Sequence, residues 1–328
     1  MKNGYHQQSP SPDPLPKLLT IAAILSLSGF GLATLARSYY RPSAPAAYQP
    51  TQLPQTPIFL GSAGLLPKSS AVTVSYRKIS GEALYLTVID LSDPQVYFGI
   101  GLAHNAPQAN SSRSTSGDEH FTPMVRRHHA AVTASGTFFS MDHQKRVMGN
   151  LVSGGKRLKY SPWENYGTTL GLKAGNRPEM RTARLEGRPN WDHHGFSLTA
   201  GPRLLKDGKP QIQPRSEGFT DRGMMEGKAL RAALGYPKHG RTMLLVTFLS
   251  PLTLEKEAKI MAHLGCSEAM NLDGGTSIAL AKGGKILQPA GRELTNVITI
   301  YDAKYPAPDS LKNAWQAFQE KSLVATRP

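Results

Sequence analysis

The chain has 328 residues, enough for one large domain or two small ones around an apolar core. Its single cysteine, Cys266, excludes an intrachain disulfide. The formal charge of +15 is spread along the chain, with no RNP, zinc-finger or helix-turn-helix signature. That argues against nucleic acid and for anionic partners such as phosphodiesters, acidic glycans or lipid headgroups.

Residues 1–17 read as a polar tail. Leu18 to Ala36 is uncharged, mostly apolar and flanked by Lys17 and Arg37, and its length matches a bilayer span. The expectation is a transmembrane anchor over 18–36, with a cleaved signal segment as the alternative. Lys2 and Lys17 before the span balance Arg37 and Arg41 after it, so charge leaves the orientation open. A span this near the N-terminus most simply delivers the rest of the chain outside the cytoplasm. Residues 37–70 carry Pro42, Pro45, Pro50, Pro54 and Pro57 and read as a linker. The folded domain is expected over 71–303, with 304–328 as a C-terminal extension.

From Val72 the pattern is mainly β. Val72–Tyr76, Leu84–Leu91, Gln95–Leu102, Ala130–Thr133, Thr168–Leu172 and Phe196–Thr199 carry strand-forming residues, as do Ala229–Leu234, Met243–Leu249, Ser277–Ala281 and Asn296–Tyr301. Phe121 to His129 suggests a short helix. Thr253 to Leu264 is the clearest helix: Thr253 can cap it, Glu255 and Glu257 suit the dipole of its first turn, and Gly265 stops it. The fold class is therefore α+β, with mixed or antiparallel β-sheets and a few packed helices.

No nucleophile elbow, Walker loop or His-Glu-x-x-His motif occurs. Asn271-Leu-Asp-Gly-Gly-Thr-Ser277 instead puts an amide, a carboxylate, two glycines and two hydroxyls together. On spacing alone it is equally a polar turn. Further glycine-containing polar stretches recur at predicted strand ends: Ser135-Gly136-Thr137-Phe138-Phe139, Gly149-Asn150 running to Ser153, Gly201-Pro202 with Asp207-Gly208, and Arg231 to Gly235.

In this order, and with Asn296-Val297-Ile298 closing the series, these stretches resemble the phosphodiester glycosidase family. The chain departs from the family pattern at three places. Ser135 stands where Asn is usual, Thr276 replaces a third glycine, and Val246 to Leu252 lacks an Asp-Gly-Arg.

The resemblance implies an extracytoplasmic hydrolase cleaving the glycosidic C–O bond of sugar-1-phosphodiesters, with a role in envelope or exopolysaccharide metabolism. The group leaving the anomeric carbon is then a phosphate monoester, which needs little protonation. One carboxylate with cationic help can serve where ordinary glycosidases use two. In this scheme Asp273 is general base or nucleophile and Arg231 clamps the phosphate. Ser135, Gly136, Asn150, Asn271, Thr276 and Ser277 contact substrate, and the N–H groups of Gly274 and Gly275 form an anion nest. Glu164 is a reserve acid. No cofactor is required, and a divalent cation beside Asp273 stays open. Two alternatives also stay open: a non-catalytic polysaccharide-binding or assembly protein, and a phosphodiesterase that breaks P–O.

Overall fold

A computed structural model describes residues 70–110, 117–162 and 164–325. The expected span at 18–36 lies outside them. Among the described residues no helix is long and apolar enough to cross a membrane.

Among the described residues the strands form three sheets, and every pairing among the named strands is antiparallel. The largest has seven strands in the order β1 (Val72–Ile79), β2 (Glu82–Asp90), β13 (Thr242–Phe248), β12 (Ala232–Tyr236), β14 (Glu268–Asn271), β10 (Arg203–Lys206) and β11 (Lys209–Pro210). The second runs β16 (Lys285–Gln288), β15 (Leu280–Lys282), β4 (Val132–Ser135), β17 (Asn296–Tyr301) and β3 (Tyr97–Leu102). The third runs β6 (Lys156–Lys159), β5 (Leu151–Ser153), β9 (Phe196–Ala200), β7 (Thr168–Lys173) and β8 (Arg177–Thr182). Among the described residues five α-helices accompany them: α1 (Phe121–His128), α2 (Ala183–Glu186), α3 (Arg222–Glu226), α4 (Leu254–His263) and α5 (Asp309–Ala325). The α+β class stands, with the sheets antiparallel.

The large sheet is buried on both faces, and strand alternation explains how. Met243 and Leu245 of β13 join a core that includes Phe98, Leu170 and Phe196 of the two smaller sheets. Leu244 and Val246 turn the other way, onto Leu254, Ala258 and Met261 of α4. A strand covered on both sides reads as a continuous apolar run, as Met243 to Val246 does. Helix α4 is built as its residues suggest: the Thr253 side chain accepts from Lys256 N at 3.3 Å, and Gly265 follows at φ +83°.

Several elements differ from expectation. The short, charged strands β6 and β8 carry little apolar signal, so they escape a pattern search. The segment expected as β from Ser277 begins with a 3-10 turn, Gly275–Ser277, and the strand starts only at Leu280. Residues 304–328, expected as an extension, contain α5. Its Trp315 and Phe318 are buried in the main core, and Trp315 Nε1 donates to Phe98 O at 3.1 Å.

Candidate active site

The site forms where β4 and β14 end. After β4 the chain turns at Gly136, and Asn296 at the start of β17 fixes that turn. Asn296 Oδ1 accepts from Thr137 N at 2.8 Å, and its Nδ2 donates to Thr137 O at 3.0 Å. A Cβ at Gly136 would lie 2.0 Å from Asn296 Oδ1, so only glycine fits. After β14 the chain passes through Leu272 to Asp273. Leu272 N donates to Ala232 O at 2.7 Å, and Gly275 N donates to Leu230 O at 2.7 Å. The segment therefore lies tightly against the start of β12.

A cavity of about 690 Å³ opens over this junction. Asn271, Asp273, Gly274, Gly275, Arg231 and Arg292 line one part of it. Asp273 is only 6% exposed. Burial pushes its carboxyl up to about 6, although the Ser277 hydroxyl, Arg292 and the Gly274 N–H oppose the rise. Arg292 Nη2 lies 3.3 Å from Asp273 Oδ2, and Arg292 Nε donates to Ser277 Oγ at 2.6 Å. The guanidinium also stacks over Phe139, 4.4 Å from the ring centre, and Nη1 meets Met141 Sδ at 2.8 Å. A carboxylate and a cation thus face one cavity, and both are held by Ser277.

Elsewhere the wall combines aromatic and apolar side chains with polar ones, among them Glu164, Asn165, Arg184, Thr220 and Asp221. Phe219 packs edge-on against both Phe138 and Tyr166, with ring centres 5.9 and 5.7 Å apart. Among the described residues, three polar atoms on the cavity lining are buried without a hydrogen-bond partner: Asn271 Oδ1, the Tyr166 hydroxyl and Glu164 Oε2. Asn271 Nδ2 donates to Gly201 O and Leu272 O at 2.9 and 2.8 Å, which fixes the amide and directs Oδ1 away from them. Glu164 Oε1 is ion-paired with the buried Lys159.

The residues singled out in the sequence divide into two groups. Arg231, Asn271, Asp273, Gly274 and Gly275 reach the cavity wall, whereas Ser135, Gly136, Asn150, Thr276 and Ser277 are not part of its lining. Ser135 Oγ donates to Asp273 O at 3.5 Å, and Asn150 Oδ1 accepts from Ser161 N at 2.8 Å, so both hold backbone. Thr276 is exposed, and its carbonyl accepts from Gly291 N at 2.8 Å. It ties down the loop that carries Arg292.

Two expected roles change. The Arg231 guanidinium is committed to carbonyl oxygens: Nε donates to Leu252 O at 2.7 Å, and Nη2 donates to Met224 O and Gly227 O at 2.9 and 3.0 Å. Below it lies Glu257 of α4, fully buried, with its carboxyl pushed up by burial to about 8. Arg231 therefore braces the wall formed by α3, and the cation beside Asp273 is Arg292. The expected nest is also closed, because Gly275 N donates to Leu230 O and Gly274 N turns to the Asp273 carboxylate. Gly274 serves close approach instead, since a Cβ there would lie 2.4 Å from Leu230 O. Gly274→Ala is expected to destabilise the protein by about 1–3 kcal/mol, measured by urea unfolding.

Arg292 was not legible in the sequence. It is one of 38 Lys and Arg residues and sits in a loop with no periodic pattern. Its position just ahead of Asn296 is the only signal, and it becomes informative once the β17 start is known to fix Gly136.

The sequence profile of phosphodiester glycosidases matches residues 127–301. No curated protein matches the chain. Among solved structures, the catalytic domain of zebrafish N-acetylglucosamine-1-phosphodiester α-N-acetylglucosaminidase, auto-inhibited by its pro-peptide, is similar at a TM-score of 0.55. The two share 16% identity over 74% of this chain and 87% of that one. A hypothetical protein from Synechocystis gives a TM-score of 0.52 at 17% identity over 70% of this chain, which spans 62% of that protein's length. A Burkholderia pseudomallei protein gives 0.51 at 14% identity, with 67% of this chain and 74% of that one covered. At these identities the likeness is one of fold.

Proposed function

The chain belongs to the phosphodiester glycosidase family, and from that premise we propose that it hydrolyses the glycosidic C–O bond of a sugar-1-phosphodiester at Asp273. The observation that carries this reading is the buried Asp273 carboxylate facing the cavity beside Arg292. The zebrafish enzyme acts, by its name, on an N-acetylglucosamine-1-phosphodiester, which fits the same chemistry.

In this mechanism the phosphate of the substrate lies against Arg292, whose planar fork suits phosphate oxygens. The anomeric carbon then faces Asp273. Acting as base, Asp273 takes a proton from water while the water oxygen bonds to the anomeric carbon. The C–O bond to phosphate breaks, and its electron pair leaves with the phosphate monoester. Because that product is a stable anion, no second carboxylic acid is required to protonate it. Asn271 Oδ1, buried and unpartnered, accepts from a hydroxyl or amide of the sugar, which removes the cost of leaving it unsatisfied. The stretch at 18–36, outside the described residues, anchors the chain and places the domain on envelope glycans.

The pH dependence follows from the direction of the Asp273 shift. Its carboxyl, raised to about 6, is mostly ionised at neutral pH and protonates as the pH falls through that value. Hydrolysis of a methyl sugar-1-phosphodiester is expected to fall on an acid limb centred near pH 6, read from kcat/KM. A profile that stays flat through that region would falsify the role given to Asp273.

A further inference from the structure

Sugars and phosphates are polar ligands, and exposed polar residues such as Asn165, Arg184, Thr220 and Asp221 line part of this cavity, yet the rim beside Arg292 is apolar. Among the described residues four large apolar side chains are exposed: Met141 at 67%, Met148 at 41%, Leu185 at 42% and Tyr160 at 39%. Tyr160 is accounted for, because Arg157 stacks on its ring at 4.3 Å and Trp191 packs against it. Met141 and Met148 both line the cavity. They lie on the two arms of one loop, which the bridge between Phe139 and Val147 and the bond from Ser140 N to Arg146 O close into a hairpin.

Met141 touches Arg292, the group that holds the phosphate in the proposed function, and Phe139 lies under that same guanidinium. A phosphate bound at Arg292 therefore has one ester oxygen toward Asp273 and the other toward a thioether and an aromatic ring. Phe138, Met224 and Leu230 continue this lining. Such a wall offers no partner to hydroxyl groups, so a second sugar there would be desolvated without compensation. The unpartnered polar atoms lie on other lining residues, Asn271, Tyr166 and Glu164. Methionine, unbranched and flexible, packs readily around alkyl chains. Exposed apolar side chains gathered at one rim mark a binding surface for an apolar group.

We propose that the substrate is an amphiphile: a sugar-1-phosphodiester whose other ester group is an alkyl or prenyl chain, seated against Met141 and Met148. This rests on the reading of Asp273 and Arg292 as the phosphodiester site.

The test uses the full chain and three esters of one sugar-1-phosphate, with methyl, decyl and glucosyl groups on the second oxygen. The decyl ester is expected to exceed the methyl ester by at least about tenfold in kcat/KM. Met141→Ser and Met148→Ser are each expected to cut the decyl-to-methyl ratio at least about threefold. A ratio cancels any general loss of activity in the variants. Equal turnover of decyl and methyl esters, or preference for the glucosyl ester, overturns the proposal. Calorimetric binding of the same esters separates it from the hydrolase reading. If no ester is cleaved, that reading fails, and this one stands or falls on whether the decyl ester binds more tightly than the methyl ester.

Discussion

Asp273→Asn is expected to lower kcat on sugar-1-phosphodiesters by roughly a thousandfold or more while making the fold more stable. The two effects share one cause. Asp273 is buried, and burial raises its carboxyl from 3.8 to about 6. Between those values the folded state holds a proton that the unfolded state releases, so stability falls as pH rises through that window. Above it the ionised carboxylate remains a cost to folding. The neutral amide removes that cost, for a gain on the order of 1–2 kcal/mol near neutral pH. It also removes the base. Steady-state assays and urea unfolding of the same preparation check both halves. A variant that turns over within tenfold of wild type sinks the catalytic role, and one that loses stability sinks the account of burial.

Arg231→Met and Arg292→Met are expected to fail in opposite ways. Arg231 is 2% exposed and holds three carbonyl oxygens, of Leu252, Met224 and Gly227. Its loss removes the guanidinium donors from those carbonyls, of which Leu252 O keeps only Ala229 N, and takes away the cation that lowers the Glu257 carboxyl. The expected cost is about 3–5 kcal/mol, seen as a fall in urea midpoint. Arg292 is a quarter exposed, and its stacking on Phe139 is replaceable by methionine. That variant is expected to keep its stability within about 1 kcal/mol. Its kcat/KM falls by roughly a hundredfold or more as the phosphate loses its cation. The acid limb also moves to higher pH, because Arg292 holds the Asp273 carboxyl down. A stable Arg231 variant with weakened phosphate binding would return the clamp to Arg231.

The residues that the sequence made legible are those whose backbone demands are local. The Asn271 to Ser277 string announces itself because Gly274 admits the close approach of Leu230 O and Gly275 takes φ +58°. The strands of the large sheet were readable from apolar runs such as Met243 to Val246. Hydrogen-bond partners across long separations were not readable. Arg231 looks like an exposed phosphate ligand until its carbonyl partners and Glu257 are placed around it. Asn150 carries the family pattern and Ser135 stands where the family has Asn, yet both act by fixing backbone, Ser161 N and Asp273 O. Arg292 reaches Asp273 from 19 residues further along the chain, through a loop that only folding brings back. Helix α5 was missed because Trp315 and Phe318 are sparse among polar neighbours, and only the core behind β3 makes them an apolar face.

The central claim is that the bond broken is the one between the anomeric carbon and oxygen. Hydrolysis of a methyl sugar-1-phosphodiester in ¹⁸O-labelled water tests it directly by mass spectrometry of the two products. Attack guided by Asp273 at carbon places the label in the sugar and leaves the methyl phosphate unlabelled. Label in the phosphate would mean P–O cleavage and contradict the account.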